Sequence, residues 1–83
     1  MRTYVIFEQA TGGRFYLASL NTHPDNSSLV PYTWGQRGNA LRIQGKAQAL
    51  RLAEQLETAI RARGYTPGRI VVQPATGGQA VTR

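Results

Sequence analysis

Apolar positions along the chain follow two different periods. Over Lys46–Arg63 (KAQALRLAEQLETAIRAR), Ala49, Leu52, Ala53, Leu56 and Ile60 recur at i, i+3, i+4, i+7 and i+11, which lays one stripe along an α-helix. Leu50 and Ala59 widen the stripe to the breadth of a helix that lies on a sheet. The other face carries Gln48, Arg51, Gln55, Thr58 and Arg61, with Glu57 four residues before Arg61 in the favourable order. Gly45 serves as a weak N-cap and Gly64 as a left-handed stop, while Arg61 and Arg63 suit the negative end of the helix dipole.

Elsewhere the period is two, or the run is apolar on both faces. Thr3–Glu8 (TYVIFE) is β-branched and aromatic, with Tyr4 and Ile6 on one face and Val5 and Phe7 on the other, so it is expected as a central strand. Thr11-Gly12-Gly13 turns the chain, and Arg14–Leu20 (RFYLASL) returns as the second arm of a hairpin. Asn21–Ser28 holds no apolar residue and is expected as an exposed loop. Leu29–Trp34 is a short strand that Pro31 confines to an edge. Gly35–Asn39 makes a second loop, and Ala40–Ile43 an extended segment that feeds the helix. After Tyr65–Gly68 turns the chain, Arg69–Gln73 (RIVVQ) is a last strand, expected between two neighbours because of its apolar run. The order β-β-(β)-(β)-α-β implies an α+β two-layer sandwich: one long helix on a mostly antiparallel sheet of three to five strands. Residues 1–73 form this single domain and 74–83 a fraying tail.

At 83 residues there is room for one core, and the absence of cysteine leaves that core without disulfides or thiolate metal sites. No apolar run reaches membrane-spanning length, so a cytoplasmic protein with no membrane partner is expected. Charge changes the picture more. Ten basic residues against four acids give a net charge of +6, which suits an anionic partner. A GC-rich genome would also favour arginine, in which case the charge only aids solubility.

Chemistry-bearing groups are few. His23 stands two residues from Asp25, but no serine or cysteine is fixed beside it by a motif, and Ser27 and Ser28 read as turn formers. The two cannot complete a metal site, and the glycine pairs lack the Gly-Lys-Ser/Thr of a phosphate loop, so neither cofactor nor metal is expected. Glu54 and Glu57 read as solvated partners of Arg51 and Arg61. The chain is therefore expected not to be an enzyme.

Binding is better supplied. Between Asp25 and Glu54 there is no acid, and Arg37, Arg42, Lys46 and Arg51 fall in that interval. Lys46 opposes the dipole at a helix N-terminus, a cost of about half a kcal/mol that a binding role offsets. Trp34 and Tyr32 border the patch, and arginines interleaved with aromatics can hold phosphates and stack on bases. Arg14 and Tyr16 on the hairpin extend the surface.

Two resemblances agree with a binding role. Two N-terminal strands, Trp34, Asn39–Ile43, Ala49, Ala53, Leu56 and a closing Ile70-Val71-Val72 strand resemble small phage and mobile-element proteins, some of which are anti-CRISPRs that cover the DNA-binding surface of an effector complex. Trp34, Gly35 and Gly38, with Arg61–Tyr65, are similar to the Trp-Gly-Arg-x-Gly run and basic helix end of WGR nucleic-acid-binding modules. Gln36 departs from that pattern, with Arg37 beside it, and the link to the helix is shorter. Both imply a partner that is nucleic acid or a nucleoprotein complex. A self-associating structural protein of a phage or mobile element, pairing as a homodimer through the Leu29–Trp34 edge, is the competing expectation.

Overall fold

The computed structural model describes residues 2–20 and 32–76. They form β1 (Thr3–Ala10), β2 (Gly13–Leu20), β3 (Tyr32–Gly35), a short 3₁₀ turn (Arg37–Asn39), β4 (Ile43–Gln44), α1 (Lys46–Ala62) and β5 (Arg69–Pro74). The first half of the expected Leu29–Trp34 strand, with Pro31, lies outside the described residues, as do the Asn21–Ser28 loop and residues 77–83.

β1 is the centre of one antiparallel sheet. Phe7, Glu8 and Gln9 pair with β2 on one edge and with β5 on the other. Tyr4 pairs with Ile43 of β4 and with Pro74 of β5, so β4 shares the β2 edge of β1. The hairpin is therefore split: β2 pairs with β1 only from Phe7 onward and then parts from it, and the short β4 takes over the vacated edge. The Leu41 N–H donates to the Leu17 carbonyl at 2.8 Å, tying the inserted segment to β2. The β2–β3 register shifts between Leu17 and Ser19, where β2 leaves β1, in the manner of a bulge.

Alternation sorts the side chains of the sheet. On one face, Tyr4, Ile6, Leu17, Ile43, Ile70 and Val72 meet Ala49, Ala53, Leu56 and Ile60 of α1 in the main core. Ile6, Leu17, Leu56 and Val72 are the largest fully buried side chains, each worth about 1.5–3 kcal/mol of apolar burial. On the other face, Val5, Phe7 and Tyr16 form a smaller cluster with Ala40, Val71 and Ala75 around them. The α+β two-layer architecture is as the periodicities predict, and β1 is buried on both faces.

Two expectations are corrected. β5 pairs with β1 alone among the described residues, so it stands beside one neighbour and not between two. Its apolar run reflects contact on both faces: Ile70 and Val72 point to the helix, Val71 to the second cluster. The strand also runs one residue further than expected, through buried Pro74, and the Ala75 N–H donates to the Thr3 carbonyl at 2.8 Å, so the domain continues past residue 73.

At its C-terminus α1 closes with a Schellman motif. Gly64 at φ +86° lets its N–H reach the Arg61 carbonyl (2.9 Å), and Tyr65 donates to the Ile60 carbonyl (3.3 Å). At the other end Gly45, at φ +89°, is the N-cap, and no side chain caps it.

Because the helix stripe and β1 share one core, Leu56→Ala is expected to lower the unfolding free energy by about 2–5 kcal/mol. Gln48→Ala on the outer face should stay within about 0.5 kcal/mol of the parent. Urea midpoints measure both, and coincident midpoints for the two variants would contradict this packing.

Candidate nucleic-acid interface

The sheet face away from α1 carries a sorted set of charges. Arg14 and Arg69 both lie opposite Gln9, one on each neighbouring strand, so the two arginines share that face some 10 Å apart across the sheet. The Arg14 Nε–H donates to Gln9 Oε1 at 3.1 Å, and the guanidinium carbon sits 4.7 Å from the centre of the Phe7 ring. This takes one of the five donors of the fork. Phe7 and Tyr16 stack beneath, with ring centres 5.2 Å apart. Arg42 precedes Ile43, whose side chain enters the main core, so alternation turns Arg42 to the face away from α1. There it lines a cleft of about 310 Å³ with Arg37 and Val5.

The described carboxylates are elsewhere. Glu8 pairs with Phe15 and Ile70, which places it on the helix side, where one of its oxygens accepts the Gly68 N–H at 2.8 Å. Glu54 and Glu57 are on α1, with Glu57 4.0 Å from Arg61. None of Arg14, Arg37, Arg42 and Arg69 pairs within 4.0 Å with a described carboxylate.

The residues expected to act together divide by face. Arg37 and Arg42 share one cleft; Arg14, Arg37 and Trp34 share another of about 360 Å³. Arg51 does not join them: it lines a groove along α1 with Glu54, Gln55 and Leu20. Lys46 is exposed at the first position of the helix and lines none of these clefts. The acid-free interval of sequence thus spreads over two faces, because the helix that begins at Lys46 lies on the far side of the sheet from Arg37 and Arg42. Tyr16, expected as part of the binding surface, is only 6% exposed and belongs to the second cluster.

The aromatics lie where the helix leaves the sheet less covered. α1 packs mainly on β1, β4 and β5. Trp34, across from Leu17, and Tyr32, across from Leu20, are half-buried against the main core and meet edge to face, with centres 5.6 Å apart. Phe15, two residues before Leu17 on the same face, is 43% exposed. Tyr65, held by the Schellman motif, is 62% exposed and lines a third cleft with Trp34, Tyr32 and Glu8. Arg63 lies 5.9 Å from the Tyr32 ring centre.

Comparison with protein-family models, curated proteins and solved structures returns no match. The site is therefore read from its own geometry. Sequence reasoning missed Arg69 and Phe15, and Arg63 and Tyr65 entered only through the resemblance to WGR modules. The hairpin alternation alone would have set Phe15 apart from Arg14, whereas Arg69 becomes a neighbour of Gln9 only through the β1–β5 pairing.

Other chemistry is sparse. His23, Asp25, Ser27 and Ser28 lie outside the described residues. Among the described residues there is no group of three or more His, Cys, Asp or Glu side chains that could hold a metal ion, and no helix long and apolar enough to cross a membrane.

Arg14 is exposed, so its contact with Phe7 contributes on the order of 0.5–1 kcal/mol. Arg14→Ala is expected to shift the unfolding free energy by no more than about 1 kcal/mol by urea denaturation. A larger loss would mean that the arginine is needed for the fold and is not a free surface group.

Proposed function

We propose that this chain is a small, non-catalytic basic binding domain that engages nucleic acid, free or within a nucleoprotein complex, through the sheet face opposite its helix. One observation supports it above the others: Arg14, Arg37, Arg42 and Arg69 share a face that holds no described carboxylate, while Glu8, Glu54 and Glu57 are all on the helix side. Such a surface attracts phosphates from a distance and holds them by charge-assisted hydrogen bonds. Arginine suits that task better than lysine, because its fork can meet two phosphate oxygens at once. An anti-CRISPR-type inhibitor and a WGR-like module are two settings for this same chemistry, and both require an anionic or nucleic-acid-binding partner.

Fluorescence anisotropy against DNA and RNA tests the proposal. If the four arginines neutralise about four phosphates of a duplex, log affinity falls with log salt at a slope of about −3.6, roughly a 100-fold loss between 50 and 200 mM salt. Arg37→Glu and Arg42→Glu should each weaken binding severalfold and flatten the slope. Arg51→Glu, on the helix, should do neither. Binding indifferent to salt, or equally sensitive to Arg51→Glu, would contradict the proposal. A concentration-independent oligomer in light scattering, with no nucleic-acid affinity, would favour the self-associating structural protein instead.

A further inference from the structure

Two features meet at one corner of the sheet. β2 begins where β3 ends, and the cleft there takes Arg14 from the face away from α1 and Phe15 and Trp34 from the helix face, with Arg37 following on the 3₁₀ turn. Trp34 also lines the neighbouring cleft under Tyr65, so it is common to both. Arg14 and Arg37 therefore lie on one side of this corner and Phe15, Trp34 and Tyr65 on the other, where Arg63 adds a cation 5.9 Å from the Tyr32 ring centre. Phe15 and Tyr65 are the two large hydrophobic side chains most exposed to solvent in the described structure, and both belong to these clefts. Glu8 also lines the second cleft, on the aromatic side, where its carboxylate accepts the Gly68 N–H.

We infer that the corner is a stacking platform for single-stranded nucleic acid, with phosphates held by Arg14 and Arg37 and unpaired bases against Phe15, Trp34 and Tyr65. This rests on the binding role proposed above and specifies its ligand. A single strand presents charge along one side and open π-faces along the other, which matches a corner divided in the same way. A duplex keeps its bases stacked inside and can satisfy the arginines but not the rings. Stacking on exposed aromatics also accounts for two large side chains left partly in water outside both core clusters, Phe15 beside the arginine-lined cleft and Tyr65 in the cleft that shares Trp34.

Trp34 is the only tryptophan in the chain, so its emission reports on this corner alone. The test titrates the full chain at 50 mM salt with a 12-nucleotide oligothymidine and with a blunt 12-base-pair duplex. The single strand is expected to quench Trp34 and to bind at least about 10-fold more tightly than the duplex. Phe15→Ala and Tyr65→Ala should each weaken single-strand binding by about 5- to 150-fold, the loss of one stacked base, and leave duplex binding unchanged. Circular dichroism checks that the two variants keep the parent fold. Equal affinity for both ligands without quenching, or unchanged single-strand binding in both variants, would overturn the platform while leaving the basic face intact. No binding of either nucleic acid would overturn both.

Discussion

The contact between β1 and the apolar stripe of α1 is the constraint on which the rest depends. β1 is paired along both edges and buried on both faces, so every other element is positioned relative to it. Ile6 at its centre touches the layer built by Leu56 and Ala53, while Phe7 one residue later belongs to the opposite cluster. A one-residue slip would exchange the two sets and send the helix-facing side chains to the smaller cluster on the other face. The same alternation sets the charge pattern, because Gln9 and its neighbours Arg14 and Arg69 must lie on the Phe7 face once Ile6 faces the helix.

The split hairpin gives the molecule its asymmetry. One helix of 17 residues, about 26 Å long, covers a sheet in which β2 parts from β1 and carries β3 outward with it. The helix packs mainly on β1, β4 and β5 and reaches β2 through Leu17 and Leu20, which leaves the β3 side of the β2–β3 corner to be covered by its own aromatic residues. Trp34 and Tyr32 thus have two neighbours of different kinds, the core beneath them and solvent-facing clefts beside them. The Schellman turn brings Tyr65 to that corner through backbone hydrogen bonds, so a local glycine preference at Gly64 positions a side chain of the candidate surface.

Local features were legible in the chain itself. The 3.6-residue period marked α1 to within a residue at each end, and the two-faced run Tyr4–Phe7 marked the central strand. What could not be read was adjacency. The interval from Arg37 to Arg51 reads as one patch because it lacks acids, but its first half precedes the crossing to the helix layer and its second half follows it. Arg51 therefore parts from Arg37, while Arg69, far along the chain, joins Arg14 through β1. Strand pairing decides such neighbours, and pairing follows from long-range burial that no short window contains. The edge position of β5 was missed for the same reason: an apolar run reports two buried faces and says nothing of its edges.

The central claim is that the described acids all lie on the helix side, leaving Arg14, Arg37, Arg42 and Arg69 unopposed on the other face of the sheet, and that an anionic ligand meets that face. Two-dimensional NMR of the labelled protein, titrated with a short oligonucleotide, tests this residue by residue. The account predicts amide shifts concentrated at Arg14–Tyr16, Trp34–Gly38, Arg42 and Arg69, with the outer helix positions Arg51, Gln55 and Thr58 unmoved. Shifts concentrated on those helix positions, or scattered evenly over both layers, would contradict it.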